Sequence, residues 1–348
     1  MPQEQETVTL SLISTGLADE KDLSLRALEE AKQCDVLYAE LYTMKLATTL
    51  ASLSELTGKP VTLLHRVDLE ERSNNLIEEA KTKIVGVLVG GDCLSATTHI
   101  SLFLEAKAAG VETRIVHGSS IFSAIAETGL SIYKFGKTVT MPFPEKGPVD
   151  TVSRGIDENL VAGLHTLVLL DLDNEKGAYM SVTQAIKRLT EAGINPDTLM
   201  LGVARLGHAD SLIKAGKMLD VAQVDFGEAP HCLVVPGPLH FLEEDALKTI
   251  AHCPPEALKG RQLKSELDRL IEKYIAGCHR VREKMVTTPP TSPLTEAQIH
   301  ELLDHVDHYL ADAEYYKSDN KPTALTSVAY SEGILDALKL LGIADFEW

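Results

Sequence analysis

The sequence predicts an α/β protein with mainly parallel sheets, followed by an all-α helical region. Three observations carry this reading. Short apolar runs rich in β-branched residues alternate with amphipathic stretches up to residue 251. Several of these runs end in glycine. Beyond Cys253-Pro254-Pro255 strand-like runs cease and only helical spacing continues.

Taken in order, TLSLIST (9–15) reads as a first strand and LSLRALEEAKQC (23–34) as a helix. VLYAEL (36–41), IVGVLVG (84–90) and ETRIVHG (112–118) read as further strands, with helices at ISLFLEAKAAG (100–110) and SIFSAIAETG (120–129), each closed by glycine. MPFPEKGPVDTVS (141–153) carries three prolines and reads as a domain linker. Beyond it HTLVLLDL (165–172), TLMLGVARLG (198–207) and HCLVVPG (231–237) read as strands, and SVTQAIKRLTEAG (181–193) and FLEEDALKTIA (241–251) as helices. Then follow the helical run LKSELDRLIEKYIAGCHRVREKM (263–285), a TTPPTSP linker (287–293) and two more helices. Leu303, Val306, Leu310 and Ala313 share one face of the first, and Ala324, Val328, Ile334, Leu335 and Leu338 one face of the second. The expected domains are 1–142, 143–257 and 258–348, the first two α/β and the third helical.

A chain of 348 residues is long enough for two sizeable domains. Its 51 acidic against 33 basic side chains leave a formal charge of −18, which disfavours a nucleic-acid partner because phosphate neutralisation needs a basic surface. The longest apolar runs fall far short of the ~20 residues of a membrane span. The opening MPQEQETVTL lacks an export signal, so a cytoplasmic protein with no membrane contact is expected. Five scattered cysteines without a CxxC suggest neither a disulfide framework nor a zinc knuckle.

Four strand ends combine glycine with polar residues: STGLADEKD (14–22), GGDCLSATTH (90–99), HGSSIFSA (117–124) and ARLGHAD (204–210). In open α/β sheets ligands bind beyond the carboxyl ends of strands, where main chain is free. Each such end is also what a tight turn looks like, and Thr97 and Thr98 serve equally as helix caps or ligand contacts. The sequence has no GxxxxGK[ST], and no GxGxxG follows the first strand, so triphosphate-loop and dinucleotide sites are not indicated.

In this order the segments STGLADEKDLSLRALEEAKQCD, AELYT (39–43), GGDCLSATTHISLFLEAKAAGVE, HGSSIFSAIAETGLSIYKFGK (117–137), GLHTLVLLDL and DFGEAPHCLVVPGPLHFLEE (225–244) resemble the diphthine synthases, a branch of the tetrapyrrole-methylase-like superfamily. The resemblance covers about residues 9–256. It implies a two-domain fold with S-adenosylmethionine in the cleft between the domains, and a homodimer. It also implies a substrate, translation elongation factor 2 bearing a 3-amino-3-carboxypropyl-histidine, whose amino nitrogen receives three methyl groups in the archaeal type. The tail resembles a small archaeal helical domain of unknown function. Two positions depart from the family pattern: Ser14-Thr15-Gly16 replaces Gly-x-Gly, and Cys93 replaces the proline after Asp92.

The resemblance implies that Leu17, Asp92, Ser95, Ser120, Ile121, Leu170, Leu206 and His231 contact the cofactor. Asp92 suits an amino or hydroxyl partner, with helix N-cap as the plain alternative. The Ser120 backbone N–H suits a carboxylate, Leu170, Leu206 and Ile121 can flank adenine, and His231 can offer backbone atoms. His99, His117 and Arg205 are the candidate substrate contacts, with Lys134 beside Arg205 as a possible carboxylate partner. His300, Asp304, His308 and Asp312 repeat at four-residue steps, a spacing shared by metal sites and by ordinary charged helix faces; no metal is expected. Two other readings keep the fold: methyl transfer to a tetrapyrrole or a ribosomal RNA, and a non-catalytic elongation-factor-binding module.

Overall fold

The computed structural model describes residues 8–261, 266–287 and 294–348. It divides into two compact units, residues 1–262 and 263–348. Among the described residues no helix is long and apolar enough to cross a membrane.

The first unit begins with a parallel sheet. Its strands are β1 (Thr9–Ser14), β2 (Val36–Glu40), β3 (Val61–Leu64), β4 (Val85–Val89) and β5 (Glu112–Val116), in the order β3-β2-β4-β1-β5. Helices α1 (Leu25–Gln33), α2 (Leu50–Thr57), α3 (Arg66–Glu70), α4 (Ser73–Glu79) and α5 (Ile100–Ala108) supply the crossovers. Both central strands, β1 and β4, are buried along their whole length, because helices cover both faces of such a sheet. Leu10 and Leu12 enter the core on one face and Ile13 on the other. Among the polar residues of β1, Ser11 is satisfied by donating to Glu30 Oε1 at 2.7 Å. Helix α1 starts where Ser24 Oγ accepts the Ala27 N–H, and buries Ala27 and Ala31.

The second sheet follows α6 (Ile121–Ala124). It comprises β6 (Val139–Met141), β7 (Thr166–Leu170), β10 (Leu199–Ala204), β11 (Leu212–Lys217) and β12 (His231–Val235), in the order β11-β10-β12-β7-β6. Between β7 and β10 lies a small ribbon of β8 (Leu172–Asp173) and β9 (Ala178–Tyr179). Around the sheet pack α7 (Asp150–Val161), α8 (Val182–Glu191), α9 (Met218–Val221), α10 (Phe241–Thr249) and α11 (Pro255–Leu258).

Across the two large sheets parallel pairing predominates, as expected, but the second sheet departs from it. Only β6–β7 is parallel, whereas β10 pairs antiparallel with β11 and β12, and β12 with β7. The seven residues between Ala204 and Leu212 make too short a link for a crossover, so β11 folds straight back on β10. The proline-rich 141–153 stretch is also not a linker between lobes. β6 already belongs to the second sheet at Val139, and the prolines lead from it into α7.

Two motifs that carry the family resemblance meet behind this sheet. Glu243, 2% exposed, accepts from the Ser131 and His240 N–H groups at 3.0 and 2.8 Å and pairs with Lys134. His165 Nε2–H donates to Glu243 Oε1 at 3.1 Å while Nδ1 accepts the Gly237 N–H, which fixes one neutral tautomer. Burial, partly opposed by Glu243, holds the His165 pKa below its ordinary value. Lys134, once a candidate for a substrate carboxylate, is therefore a structural cation, and it also donates to the Pro238 carbonyl at 2.8 Å.

The second unit contains α12 (Glu266–Lys284), α13 (Glu296–Tyr316) and α14 (Lys321–Leu340), with a short ribbon of β13 (Val286–Thr287) and β14 (Ala344–Asp345). It starts at residue 263 rather than 258, because Ala257 and Leu258 belong to the core of the second sheet. The expected faces of the last two helices, Leu303, Val306, Leu310 and Ala313 against Ala324, Val328, Leu335 and Leu338, form its core, with Ile334 packed beside them. A capping box between Thr295 and Gln298 opens α13. Most of the expected TTPPTSP linker, 288–293, lies outside the described residues.

The Glu243 carboxyl is subject to burial, which raises its pKa, but the Lys134 bond and two backbone N–H groups outweigh this and hold it at about 2, against an ordinary 4.5. Its stabilising contribution is therefore complete above pH 4.5 and fades as pH falls toward 2. Glu243→Gln should cost about 3 kcal/mol at neutral pH, since it removes the carboxylate partner of the half-buried Lys134. Urea unfolding across a pH series should show the gap from the parent narrowing below pH 4.5.

Candidate active site at the sheet ends

The carboxyl ends of β1, β4 and β5 open onto a cavity of about 300 Å³ whose far wall comes from β7, β10 and β12. Its walls include Leu17, Gly90, Gly91, Asp92 and Ser95 from the first lobe, Ser120 and Ile121 from α6 and its cap, and Leu170, Leu206 and His231 from the second lobe. All eight residues expected at the cofactor thus line one cavity, joined by Arg205.

Backbone geometry makes the cavity. Gly16 and Gly91 exchange N–H···O=C bonds of 3.1 and 2.8 Å, and both take left-handed φ values, +85° and +70°. This bridge ties the exit of β1 to the exit of β4. A Cβ on Gly90 would stand 2.5 Å from Met44 Cγ, itself a wall residue, so glycine is what leaves the slot open.

Asp92 is the electrostatic knot. Oδ1 accepts from the Leu94 N–H at 3.1 Å and Ser95 Oγ at 3.2 Å; Oδ2 accepts from His117 Nδ1 at 2.8 Å and the Gly118 N–H at 3.2 Å. Burial works to raise its pKa, but the His117 bond and the Leu94 and Gly118 N–H groups prevail and the pKa is lowered. It does not cap α5, whose N-cap position belongs to His99. Its acceptor sites are filled by the chain itself, so it holds the β4 and β5 exits together.

The other expectations divide. The Ser120 N–H is already donated to Ser123 Oγ at 3.2 Å. Arg205, held at φ +51°, donates to Asp210 Oδ2 and the Phe226 carbonyl, both at 2.7 Å, to the Asp210 carbonyl at 3.0 Å, and to the Glu228 carbonyl. It shapes the 205–230 segment and has little left for a substrate. His117 is committed to Asp92 and lies off the wall. His99 is also off the wall: 3% exposed, it stacks on Tyr42 and lies 3.3 Å from the buried Glu40, with neither ring nitrogen in a hydrogen bond among the described residues. Glu40 in turn accepts the Tyr42 and Thr43 N–H groups at 2.8 and 3.1 Å, so the AELYT and ATTH motifs jointly brace the cavity from behind. His300 turns to the Glu296 carbonyl of its own helix, and among the described residues no group of three or more potential metal ligands gathers.

Sequence reasoning missed Arg66, Tyr42, Met44 and Asp171 on the wall. Arg66 opens α3 one residue beyond β3, a strand with an exposed centre and no long apolar run to announce it. Asp171 accepts from Lys146 Nζ at 3.0 Å and from the Phe143 N–H at 3.1 Å, one donor to each oxygen.

The two departures from the family pattern explain one another. Ser14 Oγ accepts the Cys93 N–H at 2.9 Å, a donor that a proline there would lack. Neither Ser14, Thr15 nor Cys93 lines the cavity, and burial raises the Cys93 pKa, leaving an inert thiol. Ser14→Ala should cost about 2 kcal/mol by orphaning a buried N–H. Adding Cys93→Pro should recover most of that loss, as thermal unfolding of the two singles and the double would show.

Comparison with known proteins agrees with this architecture. Residues 9–222 match the family described as Tetrapyrrole (Corrin/Porphyrin) Methylases, and residues 273–344 match Protein of unknown function (DUF357). The chain is 44% identical over 251 residues to diphthine synthase of Methanocaldococcus jannaschii, covering 69% of this chain and 97% of that protein. It is 42% identical over 269 residues to the Methanosarcina mazei diphthine synthase, covering 72% and 99%. A crystal structure of diphthine synthase superposes with a TM-score of 0.68 at 38% identity, over 72% of this chain and 98% of that one. With a cavity at the carboxyl ends of a parallel sheet and relatives matched almost end to end, the chain belongs to the diphthine synthase family of the tetrapyrrole methylases.

Proposed function

We propose that this chain transfers three methyl groups from S-adenosylmethionine to the amino nitrogen of the 3-amino-3-carboxypropyl-histidine of translation elongation factor 2, giving diphthine, and that it works as a cytoplasmic homodimer. Membership in the family makes it a methyltransferase of diphthamide biosynthesis. The acceptor atom, the number of methyls and the dimer are the finer content of the proposal.

The observation that carries it is the character of the cavity. Apolar side chains and bare main chain dominate, and the charged side chains Asp92, Asp171 and Arg205 are each hydrogen-bonded within the chain. Such a wall suits a flat, compact, zwitterionic ligand and not a polyphosphate. Leu170, Leu206 and Ile121 would flank the adenine, and main chain at Gly90 and Gly91 would meet the polar end. His231 donates its Nε2–H to the Glu228 carbonyl at 3.0 Å, and its Nδ1 has no partner among the described residues. Burial, assisted by Arg205, lowers its pKa, so it stands neutral beside a cationic donor.

When bound, S-adenosylmethionine supplies a methyl on a positively charged sulfur, so the protein needs no nucleophile of its own. The chain's task is to hold the acceptor amine neutral and in line and to exclude water. Desolvation in the cavity favours the uncharged amine. Asp92 and Asp171 are both engaged within the chain, and no wall carboxylate is assigned as a general base.

The test incubates the protein with S-adenosylmethionine and elongation factor carrying the aminocarboxypropyl group, and weighs the modified peptide. A gain of three methyl groups is expected. A gain of four would move the chain to the ester-forming type, and no gain would overturn the reading.

A further inference from the structure

Arg66 is the one charged side chain on the cavity wall that the described residues leave uncommitted. Its guanidinium makes no hydrogen bond among them. Its ion pair is a 3.7 Å approach to Glu70 one turn along α3, between side chains 58% and 39% exposed. Such a surface pair contributes little and is readily exchanged. The guanidinium lies 5.2 Å from the ring centre of Tyr42, a residue only 6% exposed, so a fixed aromatic face orients it. Arg66, Tyr42 and Leu172 also wall a second chamber of about 190 Å³, lined further by Lys146 and Asp173, so Arg66 stands where the two spaces meet.

We infer that Arg66 is a specificity-determining residue that binds the carboxylate of the acceptor side chain, an assignment that rests on the acceptor named above. In a 3-amino-3-carboxypropyl group the amine and the carboxylate share one carbon. A planar cation holding both carboxylate oxygens therefore fixes where the amine points. Pairing also cancels the negative charge that would otherwise stabilise an ammonium, which keeps the nitrogen nucleophilic. The same bond occupies the oxygens that an ester-forming enzyme would methylate, so methyls are directed to nitrogen. With each transfer the S–CH₃ bond breaks and an N–CH₃ bond forms. The donor leaves as neutral S-adenosylhomocysteine, the first two steps each release one proton to solvent, and the third leaves a fixed trimethylammonium. Arg66 exchanges no atoms; it remains paired with the carboxylate throughout.

Arg66→Ala and Arg66→Lys in the full chain test this. Expected for the alanine variant is a kcat/KM for the modified elongation factor at least ~30-fold lower, with S-adenosylhomocysteine affinity within about twofold of the parent by calorimetry. Lysine should recover only part, because it lacks the paired donors. Thermal unfolding should match the parent, since the side chain is largely exposed. A parallel fall in S-adenosylhomocysteine affinity would assign Arg66 to the donor's own carboxylate and overturn the inference; unchanged kinetics would overturn it too. A parent that binds S-adenosylhomocysteine yet leaves the factor unmethylated would instead defeat the acceptor reading on which it rests.

Discussion

The cavity depends on one carboxylate. Asp92 draws donors from two separate chain segments, Leu94 and Ser95 beyond β4 and His117 and Gly118 beyond β5, and these bonds fix the gap between the two exits. The arrangement leaves the aspartate anionic and fully coordinated, so its influence on a ligand is exerted through the loops it holds. The Gly16–Gly91 bridge extends the constraint to β1, and Gly118 completes it by proximity: a Cβ there would stand 2.7 Å from Ser14 Cβ. Three strand exits are thus joined by contacts that admit almost no larger residue, and the ligand space is what remains.

A second, equally buried network shows that a family's strongest sequence marks need not touch its ligand. YKFG and LHFLE meet at Glu243, Lys134 and His165, none of them on the cavity wall. Their identity is demanded by a different requirement: a charge taken out of water must be surrounded by partners, and four separate donors meet that need here. AELYT and ATTH are intermediate. Tyr42, Thr43 and Thr97 reach the wall, while Glu40 and His99 brace it from behind.

This division explains what could be read from the sequence. The buried strands β4, β7, β10 and β12 announce themselves as apolar runs and β1 as an apolar pattern broken by serine, and each is found close to its actual limits. The strands missed from the two large sheets, β3, β6 and β11, are all edge strands. Val61–Leu64 is exposed at its centre, Val139–Met141 spans only three residues, and Leu212–Lys217 contains two lysines and a glycine. Edges carry a half-polar pattern because only one neighbour and one face protect them. The loss of β3 hid Arg66, whose position becomes meaningful only once it stands at a strand exit. Arg205, Lys134 and His99 show the opposite failure. Their types fit substrate chemistry, but whether a cation is free or spent depends on backbone carbonyls and carboxylates that come together only in the fold.

Charge is the last property the fold redistributes. A net −18 taken alone repels a carboxylate-bearing acceptor. At physiological ionic strength, however, exposed charges beyond roughly 8 Å are largely screened, so the local set decides. On the cavity wall that set contains two anions and two cations, Asp92 and Asp171 against Arg66 and Arg205. Asp92, Asp171 and Arg205 are bonded to other groups of the chain, which leaves the Arg66 guanidinium with only its 3.7 Å approach to Glu70. An acceptor that enters carrying one carboxylate and one neutral amine is matched to that remainder. After methylation the product holds a positive and a negative charge on one carbon, so the pair it presents to Arg66 is weaker than the one that entered. In the proposed reaction the Arg66–carboxylate pair would thus persist but weaken after the third transfer, which would favour release of the product.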